Sequence, residues 1–151
     1  MVNNSITYIK SIDEVLQIYQ KTIEVSGGGE AGVISTGSLE AALVFMQNDE
    51  YYPSFVDKLT HLVFVANKSH CFLDGNKRIA IALGMKFLLD NGYLFVIQHF
   101  ANKMEPISRH LAAGKIDKSL LHDIINSILH EDDYSEALKL RIIHCTYEEN
   151  V

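Results

Sequence analysis

Apolar residues recur every three or four positions along most of this chain, the spacing typical of helices with one buried face. Ser11 and Glu14 form a capping-box pattern ahead of the first such stretch, which ends near Ser26 before three glycines. Further helices are predicted over approximately 38–47, 55–68 (capped by Ser54), 75–91, 103–113, 117–130 and 134–143. The segment 93–97 is rich in β-forming residues and predicts either a short strand or an extended connector. The pattern therefore predicts an all-α domain of six or seven helices.

The helix predicted over 75–91 differs from the others because it is apolar on every face. Its middle reads Ile-Ala-Ile-Ala-Leu-Gly-Met over residues 79–85. A helix that is apolar all round is typical of the centre of a domain. The apolar stretch is too short to span a bilayer, so we expect a compact helical domain arranged around this central buried helix.

Composition and charge narrow the possible classes of protein. The 151 residues are 48% hydrophobic with two prolines and nine glycines, which excludes disordered and collagen-like chains and suits one domain over 1–151. A net charge of −6 argues against general nucleic-acid binding, although a small basic cluster can still bind a nucleotide, and without a spanning segment we expect no membrane partner. Two cysteines make no disulfide framework, and the N-terminus has no signal-peptide pattern, so we expect a cytoplasmic protein.

The segment 70–78 breaks the ordinary rules for the start of a helix. Asp74 is a good N-cap, which predicts that the helix begins at Gly75. The first helical turn carries partial positive charge and favours acidic residues, yet Lys77 and Arg78 occupy it here. These cations are explained if an anion binds there, because backbone N–H groups, a glycine that permits close approach, and two cations form a phosphate site.

Two further residues of the segment suggest chemistry. His70, just before the turn, can act as a general base in its neutral form, and the Asp74 carboxylate is a ligand that Mg²⁺ accepts when it bridges phosphates. Each residue also has an ordinary interpretation: Asp74 as a plain cap, Lys77 and Arg78 as solvated charges, His70 as a surface histidine. Phe72 is predicted to be a core anchor, and Cys71 lacks a base at the spacing of a cysteine nucleophile.

The segment resembles the signature of the Fic/Doc family, H-x-F-x-[D/E/N]-x-N-[G/K]-R. Every fixed position matches, through His70, Phe72, Asp74, Asn76, Lys77 and Arg78. The resemblance extends over roughly residues 10–130, is closest to the Doc (death-on-curing) branch, and leaves the tail from 131 unexplained. It implies that His70 deprotonates a target hydroxyl, that Asp74 holds Mg²⁺, that Gly75 and Asn76 form an anion hole, and that Lys77 and Arg78 neutralise phosphate oxygens.

Two positions separate the branches of that family. Members that transfer AMP typically have glycine where this chain has Lys77 and arginine where it has Ile81, so both positions are similar to Doc. The resemblance then implies phosphoryl transfer, catalysed by His70 and Lys77, from ATP or another nucleoside triphosphate to a protein hydroxyl; the Doc target is a threonine of elongation factor Tu. Gly75 is instead the choice of the AMP-transferring branch. AMP transfer, or a catalytically idle binding module on the same fold, are the alternatives.

Residues 26–31 resemble an inhibitory segment of the same family. Many members of the family carry an inhibitory helix reading [S/T]-x-x-x-E-[G/N], and residues 26–31 nearly match it. Three consecutive glycines cannot form a stable helix, so the match is interpreted as a coincidence. The resemblance then implies a separate small antitoxin as partner.

Overall fold

The computed structural model describes residues 5–26 and 32–147, and helices account for most of them. The α-helices are α1 (Ile12–Ser26), α2 (Gly37–Phe45), α3 (Phe55–Lys68), α4 (Asn76–Asp90), α5 (Ile97–Ala112), α6 (Lys118–His130) and α7 (Glu136–Thr146). A short 3₁₀ helix, Leu94–Val96, precedes α5, and no strand occurs within the described ranges. The predicted all-α fold of six or seven helices is therefore confirmed.

Helix α4 lies at the centre of the domain, in contact with α1, α3 and α5. One side of it is fully buried, including Ile79, Leu83 and Phe87. The opposite side, with Ile81 and Met85, is half-buried. The prediction of a central helix holds, and the residues that made it look apolar all round are divided between a core face and a partly covered face.

Both ends of α3 are fixed, which positions the chain that follows it. At the start, Ser54 and Asp57 form a capping box, with each side chain accepting from the other's backbone N–H at 3.0 Å. At the end, the Lys68 ammonium donates to the Leu111 carbonyl at 3.0 Å and so ties α3 to α5. The predicted Ser54 cap is confirmed, and the residues just before His70 are held by a buried framework.

The sequence-based expectation for the segment after α4 was wrong. Residues 93–97 form neither a strand nor an extended connector, because the 3₁₀ helix leads directly into α5, which begins at Ile97 rather than near 103. Tyr93 donates its N–H to the Leu88 carbonyl at 3.0 Å, and its ring stacks on Phe55 at 4.6 Å. This packing folds the segment back onto helices and leaves it no neighbouring strand to pair with.

None of the helices in the described ranges is long and apolar enough to cross a bilayer.

Candidate active site

The loop between α3 and α4 changes direction through two residues with positive φ. His70 has a φ of 51° and is the one non-glycine residue in the described ranges with this conformation. Gly75 has a φ of 83°, which glycine adopts without strain. The His70 side chain is exposed to solvent. The candidate base therefore lies at the start of a sharply turned loop, and histidine is among the residues that tolerate this conformation best.

Asn76 holds the loop in shape from the first residue of α4. Its amide donates to the Phe72 carbonyl at 2.9 Å, and its side-chain oxygen accepts from the Phe72 N–H at 3.2 Å. Both hydrogen bonds go to one residue, so the side chain clamps the loop backbone against the helix. The structure gives Asn76 this positioning role; its contact with a phosphate remains a prediction.

The predicted cap of α4 is wrong by one residue. Gly75, not Asp74, occupies the N-cap position, because its left-handed backbone makes the turn into the helix. The Asp74 carboxylate instead accepts the Gly75 N–H at 2.7 Å and is largely exposed. A glycine cap brings no side chain over the first turn, which leaves the approach to the backbone N–H groups of α4 unobstructed by its own cap residue.

The two predicted cations lie in that first turn. Lys77 is exposed, and Arg78 is half-buried. Arg78 donates to the Ser26 hydroxyl at the end of α1 and lies 3.8 Å from the Asp74 carboxylate. These contacts orient the guanidinium over the end of the helix. The structure thus brings Asp74, Gly75, Lys77 and Arg78 together around one helix N-terminus.

Asp74 is the residue here that fits Mg²⁺. No group of three or more histidine, cysteine or acidic side chains within the described ranges could hold a metal ion. Mg²⁺ is commonly bound by one or two carboxylates together with substrate phosphates and water, so a single exposed carboxylate is a donor set that suits it. Binding of Mg²⁺ by Asp74 remains a prediction.

Sequence reasoning missed Tyr19 of α1. Its hydroxyl donates to the Asp74 carbonyl and accepts the Gly32 N–H, each at 3.2 Å, and its ring stacks on buried Phe72 at 3.9 Å. Phe72 is confirmed as a core anchor. In the sequence Tyr19 is one of several apolar residues on α1, and nothing local to it signals contact with a loop 55 residues away.

The chain from Gly32 to Ser35 runs beside the loop. Leu73 donates to the Gly32 carbonyl at 2.9 Å, Ile34 donates to the Cys71 carbonyl at 2.8 Å, and Val33 forms an isolated antiparallel bridge with Phe72. The side chains of Val33, Ile34 and Leu73 are exposed. Cys71 is buried, and its sulfur contacts Ser69 Oγ at 3.1 Å, which fits a structural role rather than a nucleophile.

Comparison with known proteins identifies the family of the chain. A model of the Fic/DOC family matches residues 8–88, more than half of the chain, and includes the whole segment 70–78. The chain belongs to the Fic/DOC family. It is similar to the toxin Doc of Mycolicibacterium smegmatis (strain ATCC 700084 / mc(2)155), with 31% identity over 97 residues that cover 62% of this chain and 75% of that protein. No solved structure matches the chain significantly.

The predicted resemblance to the Fic/Doc family, and to Doc within it, is thereby confirmed. The family match ends at 88, so α5, α6 and α7 lie beyond it although α5 packs directly against α4. The near match to an inhibitory helix starts at Ser26, the last residue of α1, and its other residues, 27–31, lie outside the described ranges.

Proposed function

We propose that this protein is a Doc-like toxin that transfers a phosphoryl group from a nucleoside triphosphate, ATP in the simplest case, to a hydroxyl of a target protein. The observation that carries the proposal is the start of α4. Lys77 and Arg78 lie in a first turn whose cap is a glycine in the left-handed conformation. Backbone N–H groups and two cations at this end of a helix suit the phosphates of a nucleotide.

His70 is proposed as the general base. It would take the proton of the target hydroxyl as the hydroxyl oxygen bonds to the γ-phosphorus, while the bond from that phosphorus to the bridging oxygen breaks and releases the nucleoside diphosphate. Lys77 and Arg78 would stabilise the charge on the transferring oxygens. Asp74 would hold Mg²⁺, which neutralises phosphate charge when bound.

Two residues favour phosphoryl over AMP transfer. A site that presents the α-phosphate must hold the β- and γ-phosphates deep at the helix end. Lys77 adds bulk and charge where those phosphates would lie, and Ile81, one turn further along α4, offers no cation to hold the last one. A nucleotide bound in the opposite direction would place its γ-phosphate near His70. AMP transfer is the second candidate, since Gly75 is the residue typical of that branch.

We propose two protein partners, a target and an antitoxin, from the similarity to the Doc branch. The target of the Doc branch, a threonine of elongation factor Tu, is the first target to test. The exposed side chains of Val33, Ile34 and Leu73 provide an apolar surface beside the loop for such a protein. A small antitoxin is proposed to restrain the enzyme.

Labelled nucleotides decide between the two transfers. The protein is incubated with purified elongation factor Tu or a bacterial extract, with Mg²⁺ and with ATP labelled at either the α- or the γ-phosphate. We expect the γ label to be transferred and intact mass spectrometry of the target to show the gain of one phosphate. Gain of an AMP mass would replace phosphoryl transfer by AMP transfer, and absence of both labels from every protein would favour an idle binding module.

A further inference from the structure

A second cleft lies away from the α4 terminus, between the first half of α3 and the start of α6. It has a volume of about 300 Å³ and is lined by Tyr51, Tyr52, Asp57, Thr60, Lys118, Ser119 and His122. His61, which contacts Tyr52 and Lys118 of this cleft, precedes Ser69 by eight residues, or about 12 Å of helix. The cleft is therefore separate from the loop that carries His70.

Lys118 is half-buried, and burial lowers its pKa more than the charge of nearby Asp57 raises it, so its charge is only partly compensated. Its ammonium donates to His61 Nδ1 at 2.8 Å and lies over the rings of Tyr52 and Phe64, at 5.2 and 5.6 Å. It forms no ion pair within the described ranges. The nearby Asp57 carboxylate already accepts from the Ser54 N–H and hydroxyl and from His122, at 2.9 Å. Partial burial of a charge is unfavourable unless an opposite charge compensates it.

Hydroxyl groups around Lys118 offer further donors. Thr60 is almost fully buried, lines the cleft, and its hydroxyl has no hydrogen-bond partner. Burial and the charge of Lys118 lower the pKa of His61 to about 4, so its ring is neutral at pH 7. Because Nδ1 accepts from Lys118, Nε2 carries the proton and faces the Tyr52 hydroxyl at 3.4 Å. The proton of that hydroxyl can then point to a ligand.

We propose that this cleft binds a small organic anion, a carboxylate or a phosphate ester, whose anionic group pairs with Lys118 and accepts from the Thr60 hydroxyl. The cleft volume lies at the lower end of the range for small-molecule sites and exceeds what a bare anion needs. The chain carries a net charge of −6, so the protein as a whole repels anions and binding here would report the local site. The inference does not depend on the proposed transferase activity.

Titration of the ¹⁵N-labelled full-length protein tests the proposal. The probes are phenyl phosphate and benzoate, with benzyl alcohol as a neutral control, and the readout is the NMR shifts of Thr60, His61 and Lys118. We expect saturable shifts with one or both anions, with a Kd on the order of 1 mM or tighter, and none with the alcohol. A response to phenyl phosphate alone identifies a phosphate site, and a response to benzoate alone identifies a carboxylate site.

Variants locate the binding. Lys118→Met should weaken binding about tenfold or more, and Thr60→Val a few-fold, because each removes one partner of the anion. Lys139→Met, at a half-exposed lysine paired with Asp133 and Glu136, is the control and should leave the affinity unchanged.

Three results would overturn the proposal. The first is the absence of saturable shifts up to about 10 mM of either anion. The second is an equal response to benzyl alcohol. The third is unchanged affinity in a folded Lys118→Met protein; if that variant does not fold, unchanged affinity in Thr60→Val serves instead.

Discussion

His70 sits in a backbone conformation that restricts how its role can be tested. Its φ of 51° disfavours alanine more than asparagine, which tolerates the left-handed region well. We therefore predict that His70→Asn leaves the melting temperature of the protein unchanged, because the side chain is exposed. The rate of transfer to the target should fall roughly 10²–10⁴-fold, the usual cost of losing a general base. His144→Asn, at an exposed position of α7, is the matched control and should transfer normally. Transfer by His70→Asn at the wild-type rate would exclude this base.

Tyr19 is a positioning residue whose hydroxyl can be removed without disturbing the stack on Phe72. Tyr19→Phe loses the bonds to the Asp74 carbonyl and the Gly32 N–H. We predict a loss of about 1–2 kcal/mol in the free energy of unfolding, measured by chemical denaturation. Tyr134→Phe is a matched control, since the Tyr134 hydroxyl is buried without a partner and its removal should cost nothing. Equal losses in the two variants would contradict the bridging role of Tyr19.

How far the sequence predicts the structure differs between elements. The start of α3 was predictable because its cap, Ser54, bonds to Asp57, a residue only three positions away in the chain. The start of α4 was not, since the choice between Asp74 and Gly75 depends on a left-handed turn held by Asn76 across the loop.

Long-range contacts explain the other differences. Residues 93–97 have strand propensity, but their partners are rings and carbonyls of α3 and α4. The residues of the candidate site were predictable because they are adjacent in the chain, whereas Tyr19, which connects Asp74 to Gly32, is distant from them in sequence. Their chemical roles stay predictions.

The contact between α4 and α5 depends on Gly84. A Cβ added there would lie 2.7 Å from Cζ of Phe100, a fully buried ring, so the ring or α4 would have to shift. Alanine gains about 1 kcal/mol of helix propensity, and overpacking a core costs about 1–3 kcal/mol. We predict that Gly84→Ala lowers the free energy of unfolding. Gly37→Ala, where the nearest atom would be Ser35 Oγ at 4.0 Å, should be neutral or slightly stabilising. A stabilised Gly84→Ala protein would mean that Phe100 moves freely.

The contact between α3 and α6 makes a pH-dependent contribution to stability. Burial, more than the charge of Lys118, lowers the pKa of His61 from 6.5 to about 4. Between these values the unfolded chain binds a proton that the folded chain does not. The contribution of His61 is therefore present above pH 6.5 and lost as the pH falls toward 4.

An NMR titration measures this pKa directly. We predict a value near 4 in the wild-type protein. In Lys118→Met it should rise while remaining below 6.5, because burial persists when the charge is removed. A wild-type value of 6.5 would show that the ring is solvated.

At the scale of the whole molecule, the hydrophobic core extends beyond the residues that the family model matches. The match covers residues 8–88, whereas α5 supplies Phe100 and Met104 to the buried core and accepts the Lys68 bond that fixes the end of α3. The loop that carries His70 is thus supported by residues outside the matched part. Composition and periodicity predict the helical class, but they cannot identify a target protein, because recognition depends on the shape of surfaces such as Val33 and Ile34.

The proposed activity makes a prediction for a living cell. If the enzyme modifies an essential protein of translation, expression of the wild-type chain in a bacterium that lacks a matching antitoxin should arrest growth. His70→Asn should not arrest it at equal soluble expression, and His144→Asn should, because only the first removes the proposed base. Co-expression of a short protein encoded beside this chain should restore growth. Growth arrest by both variants would mean that toxicity comes from binding rather than from transfer. Normal growth with abundant wild-type protein that is active in the labelling assay would contradict the toxin role but not the proposed transfer reaction.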